Sequence, residues 1–291
     1  MKNPNPFNPP ILCILGPTAS GKSQLALKLA AETPSEIISV DSAQVYRGMD
    51  IGTAKPSKEV RAQIPHHLID IRDPSEAYSA ADFSHYALQK IEEILARNKR
   101  PLLVGGTMLY FKALQQGLSI LPKSDQEIRS KLQQQDLTFL YQRLQQLDPI
   151  TAKKLAPKDR QRIQRALEIY EITGATMSEL IEQQQIVKPK YEFINMAINV
   201  KDRTVLHRRI EQRFDLMLSQ GLVDEVKKLY DRGDLNLTMP SMRAVGYRQV
   251  WQYLAGSLTY EAMRSEAIAA TRQLAKRQLT WLRSWPNIHR I

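Results

Sequence analysis

Apolar positions along the chain alternate between short unbroken runs and longer stretches of helical period. Ile11-Leu12-Cys13-Ile14-Leu15 is fully apolar and stops at Gly16. Such a run suits a strand buried on both faces of a parallel sheet. Residues 23–31 follow with helical spacing, which puts Leu25, Ala26 and Leu29 on one side. Residues 36–41 and 101–104 predict two more buried strands. Between them, Ser79-Ala80-Ala81-Asp82 resembles a capping box, with Asp in the place of Glu, and starts a helix to about residue 97. Gly105-Gly106 ends the third strand, and residues 107–114 return to helical spacing. Strand–helix alternation of this kind predicts a parallel sheet with helices on both faces.

The pattern changes between about 116 and 190. There the spacing is helical throughout, no strand is convincing, and glutamine is frequent, as in Gln133-Gln134-Gln135 and Gln183-Gln184-Gln185. Alternation resumes at 192–200. Asp202 then caps a helix to about 220, with Gly221 suited to the left-handed position after it. Residues 259–284 read as one long helix and 287–291 as a terminal strand. The expected organisation is an α/β core over 11–116 and 191–291, an all-helical insertion over 117–190, and a disordered lead over 1–10.

Composition narrows the class. The chain has 291 residues, 41 Lys and Arg against 30 Asp and Glu, and a net charge of +11. Its single cysteine, Cys13, excludes an internal disulfide and a multi-cysteine metal site. No apolar run approaches the ~18–20 residues of a membrane helix. The proline- and asparagine-rich start lacks the order of a signal peptide. A soluble, cytoplasmic protein with no membrane partner is therefore expected; a monomer is the working expectation, which the sequence itself does not establish.

The positive charge is unevenly placed. Lys153, Lys154, Lys158, Arg160, Arg162 and Arg165 stand against Asp159 alone. Arg243, Arg248, Arg264, Arg272, Lys276, Arg277, Arg283 and Arg290 stand against Glu261 and Glu266. These two segments account for the whole basic excess, and such clustering is an electrostatic footprint for a polyanion. Tyr247, Trp251, Tyr253, Trp281 and Trp285 accompany the second segment, and aromatic rings can stack on splayed RNA bases. The competing reading is a solvated helix face with tryptophans in the core. His66-His67 lacks a second ligand pair at metal spacing and reads as a loop or strand-edge pair.

Gly16-Pro17-Thr18-Ala19-Ser20-Gly21-Lys22-Ser23 satisfies G-x-x-x-x-G-K-[ST], with a buried strand before it and an amphipathic helix after it. The glycines let backbone amides turn towards phosphate oxygens, and the helix N-terminus adds a positive dipole. Lys22 would reach the terminal phosphate, and Ser23 would ligate Mg²⁺. The motif specifies phosphate without specifying ATP. The 101–104 strand ends in glycines, so the acid that an NTPase uses for its metal is missing there. Asp41 is the obvious strand-end carboxylate. It could orient a magnesium-bound water, act as a general base, or simply cap the turn before Ser42. Ligands of parallel sheets bind at the carboxyl ends of strands, which places Gly16, Asp41 and Thr107 around one crevice.

Five further blocks carry a resemblance. They are Asp41-Ser42-Ala43-Gln44-Val45-Tyr46, Asp50-Ile51-Gly52-Thr53-Ala54-Lys55-Pro56, Val104-Gly105-Gly106-Thr107-Met108-Leu109-Tyr110, Ser241-Met242-Arg243-Ala244-Val245-Gly246-Tyr247-Arg248, and Thr271-Arg272-Gln273-Leu274-Ala275-Lys276-Arg277-Gln278 with Thr280-Trp281-Leu282-Arg283. With the phosphate loop, the chain over about 11–285 resembles the tRNA dimethylallyltransferases, also called tRNA isopentenyltransferases, of the bacterial type without a zinc-finger extension. The resemblance implies a P-loop NTPase-like fold and transfer of a dimethylallyl group from dimethylallyl diphosphate to N6 of an adenosine beside the anticodon.

It also implies roles. Gly16, Pro17, Thr18, Ala19, Ser20, Gly21, Lys22 and Ser23 would hold the diphosphate, with Arg213 beside it and Mg²⁺ on Ser23. Asp41 would be the base, and Thr107 would lie at the reaction centre. Asp41, Ser42, Ala43, Gln44, Thr107, Arg129, Gln161, Arg162, Ile163, Gln164, Arg165, Arg243, Ala244, Val245, Gly246, Tyr247, Arg248, Lys276, Arg277 and Arg283 would meet tRNA, with the helical insertion gripping its anticodon stem-loop. Three rivals remain open on the residues alone. They are a small-molecule kinase, an adenylate isopentenyltransferase acting on free AMP or ADP, and a non-catalytic RNA-binding ATPase.

Overall fold

The computed structural model describes residues 9–117, 119, 121–184, 190–200 and 202–291. Most of the expected N-terminal lead lies outside the described residues. Two compact units are present. One comprises the described residues of Met1–Gln115 and Pro189–Ile291, and the other those of Gln116–Lys188.

The first unit is built on β1 (Ile11–Leu15), α1 (Lys22–Glu32), β2 (Ser35–Val40), α2 (Lys58–Gln63), β3 (His66–His67), α3 (Ala80–Ala96), β4 (Arg100–Gly105) and α4 (Met108–Gln116). After the second unit, the chain adds β5 (Phe193–Ala197), α10 (Arg203–Ser219), α11 (Leu222–Tyr230), α12 (Tyr247–Leu254), α13 (Tyr260–Arg283) and β6 (Ile288–Arg290). Among the described residues the sheet has six strands in the order β3-β2-β4-β1-β5-β6, and every pairing is parallel. The central strands are buried nearly throughout, which explains their unbroken apolar runs. Ser79 and Asp82 form the expected capping box at α3. Gly221 takes the left-handed φ of 95° after α10.

Neighbouring strand ends are tied laterally on the side where the site lies. The Gly16 amide donates to Gly105 O at 3.3 Å, Ile198 to Leu15 O at 3.0 Å, and Thr107 to Val40 O at 3.2 Å. A Cβ at Gly105 would stand 2.0 Å from Val40 O, so only glycine permits this approach.

Three details depart from the sequence pattern. The helix α2 occupies a stretch that showed no clear period, while His66-His67 forms the edge strand β3, in keeping with its strand-edge reading. Their stability comes from outside: β3 pairs with Ile37 and Ile38, and His67 Nε2 lies 2.6 Å from the Glu36 carboxylate. The strand β5 covers 193–197, shorter than the expected 192–200. Tyr247, Trp251 and Trp285 belong to the core and have no free face for stacking, whereas Trp281 is exposed.

The second unit contains α5 (Gln126–Gln133), α6 (Leu137–Leu147), α7 (Pro149–Lys154), α8 (Arg160–Thr173) and α9 (Met177–Glu182). Side chains of Asp125, Asp136, Asp148, Asp159 and Thr176 cap them in turn. Leu132, Leu140, Leu144, Ile163 and Leu167 form a core of its own. Glu168 is wholly buried there and is neutralised by Arg129 at 2.9 Å and Arg165 at 2.7 Å.

Candidate active site

A cavity of about 680 Å³ opens at the carboxyl ends of β1, β2 and β4. The phosphate loop forms one wall. Gly21 has φ 95° and leads into α1, whose first turn contains no acidic residue and no side-chain cap. The positive end of this helix is therefore free for an anion. Ala19 takes φ 60°, which turns the loop inward. The Ser20 hydroxyl is buried and has no hydrogen-bond partner, a donor left over in a loop shaped for oxyanions.

Lys22 lines the cavity, and its ammonium lies 3.4 Å from Pro17 O. Burial lowers its pKa to about 8, the Asp41 charge opposes that fall, and the Arg213 charge adds to it. Burial also lowers Arg213, again opposed by Asp41. Two cations and one carboxylate thus share a poorly solvated space. An incoming polyanion would relieve the repulsion between the cations and favour their charged forms.

Asp41 follows the last residue of β2. Its Oδ1 accepts the amides of Ala43 at 2.9 Å and Gln44 at 3.3 Å. The turn-capping reading is therefore correct for one oxygen. Among the described residues Oδ2 has no hydrogen-bond partner, which leaves it free to accept a proton. Thr107 accepts the Ser42 amide on its Oγ1 at 3.1 Å, which ties the end of β4 to the turn after Asp41. The Gln44 side chain is spent within the fold: it accepts from Ser39 Oγ at 2.8 Å and donates to Thr53 O at 3.2 Å.

The opposite wall comes from the later chain. Arg213, Arg243, Ala244, Val245, Gly246, Tyr247 and Arg277 line the same cavity as Thr18, Lys22, Ser23, Asp41, Ser42, Ala43, Gln44 and Thr107. Next to it, Arg243, Arg248 and Arg277 surround a second recess of about 370 Å³. Lys276 and Arg283 are exposed elsewhere on α13.

In the other unit, Gln161 and Arg162 are exposed on α8, while Gln164 donates to Gln133. Two expectations need correcting at the level of the side chain. Ile163 is fully buried in its unit's core, and Tyr247 is fully buried with its hydroxyl on Glu225. The Ile163 side chain has no surface to offer a ligand, and Tyr247 contributes to the cavity wall only from within the core.

Sequence reasoning missed three structural hubs. Glu225 accepts the amides of Asp50, Ile51 and Gly52 at 2.9, 2.7 and 3.1 Å, and so fixes the loop that carries Thr53 and Ala54 into the cavity wall. Lys55, only 1% exposed, donates to Tyr46 O, Asp50 and Asp70. Gln278 bridges Thr18 and Gly106. A polar residue on the apolar face of an otherwise amphipathic helix was the available signal at Glu225 and Gln278.

A family model described as IPP transferase matches residues 44–285. The chain belongs to the IPP transferase family. That match begins after the phosphate loop, but similarity to solved structures covers nearly the whole chain. The full-length tRNA isopentenylpyrophosphate transferase of Bacillus halodurans is 39% identical, with a TM-score of 0.71 over 97% of this chain and 89% of that one. The tRNA delta(2)-isopentenylpyrophosphate transferase of Staphylococcus epidermidis is 36% identical, with a TM-score of 0.69 over 97% and 92%. A eukaryotic dimethylallyltransferase captured acting on tRNA is 32% identical, with a TM-score of 0.79 over 94% and 69%. As an IPP transferase family member the chain is an enzyme of prenyl transfer to tRNA, which disfavours the kinase and ATPase readings.

Proposed function

We propose that this enzyme transfers a dimethylallyl group from dimethylallyl diphosphate to the exocyclic N6 of the adenosine 3′ to the anticodon of tRNA, releasing diphosphate. The observation that carries the reading is one cavity in which a phosphate loop with two desolvated cations faces a carboxylate with an open oxygen, while arginines line its other wall. Family membership sets the reaction class.

In the transfer, a bond forms from N6 to the allylic carbon as the carbon–oxygen bond to diphosphate breaks. The leaving oxygen keeps the electron pair. Lys22, Arg213 and the loop amides would meet the charge that collects there. Asp41 Oδ2 takes the N6 proton, a role typically worth ~10²–10⁴ in rate. Thr107 acts on the turn beside Asp41 through Ser42.

The adenosine has to leave its stack to enter the cavity. Arg243, Arg248 and Arg277 suit the phosphates around it. In the helical unit, Gln161, Arg162 and the basic start of α8 would hold the anticodon stem-loop. Arg129 and Arg165 can lend only what their pairing with Glu168 leaves.

Mg²⁺ fits this donor set. Among the described residues no three His, Cys, Asp or Glu side chains converge on a metal position. A divalent ion would therefore rely on Ser23, diphosphate oxygens and water, the mixture that magnesium prefers. When bound, it would neutralise charge on the diphosphate. No helix among the described residues is long and apolar enough to cross a membrane. We expect a monomer acting in the cytoplasm.

The deciding experiment supplies Mg²⁺, labelled dimethylallyl diphosphate, and either unmodified tRNA or AMP. Label in tRNA supports the reading. Label in AMP alone would mean an adenylate isopentenyltransferase.

A further inference from the structure

Gln278 lies more than three-quarters of the way along α13, on the face that also carries Leu274 and Trp281 into the cavity wall. Its amide is buried, and both of its ends are used. Oε1 accepts the Thr18 amide of the phosphate loop at 2.9 Å. Nε2 donates to Gly106 O at 2.9 Å. The two partners belong to opposite halves of the site. Thr18 stands in the loop that would hold the leaving group. Gly106 precedes Thr107, which holds the backbone beside Asp41.

The fit at Gly106 is close. A Cβ there would stand 2.3 Å from Gln278 Nε2 and 3.2 Å from Gly16 O. The second glycine of the Gly105-Gly106 pair is thereby explained: it admits the glutamine amide. A planar amide with one acceptor end and one donor end is also the group that a peptide N–H on one side and a peptide C=O on the other demand.

We infer that Gln278 is a positioning residue that sets the spacing between the diphosphate loop and the Asp41–Thr107 pair, and so between the leaving group and the incoming amine. Both polar ends of its side chain are taken up by backbone groups of the fold. It acts through Thr18 on one side and through Gly106 and Thr107 on the other. The inference rests on the prenyl-transfer reading above. Its consequence is specific. An error of about 1 Å between two reacting partners can cost about 10²-fold in rate while each partner still binds.

The test uses the full chain with saturating Mg²⁺, dimethylallyl diphosphate and tRNA under single-turnover conditions. Gln278→Met keeps length and volume but removes both hydrogen bonds. Gly106→Ala pushes the same amide away from the other side. The turnover rate of each should fall about 10²-fold. The KM for dimethylallyl diphosphate and the tRNA Kd should stay within about threefold of the parent, a split that general loosening of the fold would not produce. Because both variants break one contact, the double variant should be no slower than the worse single by more than about threefold.

Three results would overturn the inference: unchanged turnover in both singles, losses that multiply in the double, or a loss confined to tRNA affinity. The parent enzyme run alongside separates the two claims. If it labels AMP and leaves tRNA unlabelled, the functional reading fails, and the same kcat–KM split measured with AMP still decides the role of Gln278.

Discussion

Thr107 holds the backbone of Ser42 through a 3.1 Å hydrogen bond from the Ser42 amide to its hydroxyl. The end of β4 thereby fixes the turn whose first residue is Asp41. Replacing Asp41 by alanine would remove both the open oxygen and the turn cap. Asp41→Asn is the cleaner change, since an amide oxygen can still accept the Ala43 and Gln44 amides. Turnover of Asp41→Asn should fall about 10²-fold or more while tRNA affinity stays within a few-fold. Filter binding and rapid-quench assays check it, and unchanged turnover would remove Asp41 from the base role.

Lys22 gives a pH signature. Its folded pKa of about 8 lies below the ordinary lysine value, because burial disfavours the ammonium. A bound diphosphate would favour the charged form again. Above pH 8, binding must therefore take up a proton, and affinity for diphosphate should fall by up to about tenfold per pH unit towards pH 10. Calorimetric titration of the enzyme with diphosphate between pH 7 and 10 would show it. Lys22→Met should bind weakly and lose the part of the pH dependence that exceeds the ionisation of diphosphate itself.

The same group affects stability in the opposite sense. The unfolded chain keeps Lys22 protonated to higher pH than the native state does. The cost of its buried charge is full below about pH 8 and is relieved as pH rises through the window between the folded and unfolded values. Glu36 behaves conversely. Burial alone would raise it, but hydrogen bonds from Arg97, His67 and Lys99 outweigh that and bring it to about 2. Its stabilisation is present above the normal glutamate range and is lost as pH falls towards 2. Glu36→Gln should flatten the acid limb of the melting temperature between pH 5 and 2, as read by circular dichroism.

Charge removal at Arg243 and Arg277 should weaken tRNA binding more at low salt than at high salt, because phosphate contacts release counterions. Arg162, with 70% of its side chain exposed, is a sound companion site in the helical unit. Arg165 is not. Its reversal would set a second carboxylate beside the buried Glu168 and disrupt that unit. Equal loss of binding at all salt concentrations in Arg243→Ala with Arg277→Ala would count against phosphate contact.

Glu225 accepts three backbone amides and the Tyr247 hydroxyl. Glu225→Ala leaves these donors without a partner and should destabilise the fold by about 1–3 kcal/mol. Tyr247→Phe removes one donor and should cost less. Urea unfolding of the two variants compares them directly.

The strands, the phosphate loop and the long α13 were legible in the sequence because each depends on local pattern: apolar runs, glycine spacing and helical period. Asp41 was legible because strand ends are where ligands bind. The hubs were not. Glu225 meets Asp50, Ile51 and Gly52 across more than 170 positions of chain, and only the folded topology brings them together. The basic segments were visible as charge, yet sequence could not separate arginines facing solvent from those neutralising Glu168. Trp251 and Trp285 show the same limit, since aromatic spacing on a basic helix fits either an RNA platform or a core.

The first strand lies between β4 and β5, segments that follow it by roughly 90 and 180 residues in the chain. The loop it carries is then latched by a glutamine 260 positions downstream. During synthesis from the N-terminus, the glycine-rich loop emerges early and waits for its neighbours. Pairings of this range form slowly, because distant segments must meet before any contact rewards them. Catalytic competence should thus appear late in chain growth, as a single event on arrival of the last long helix.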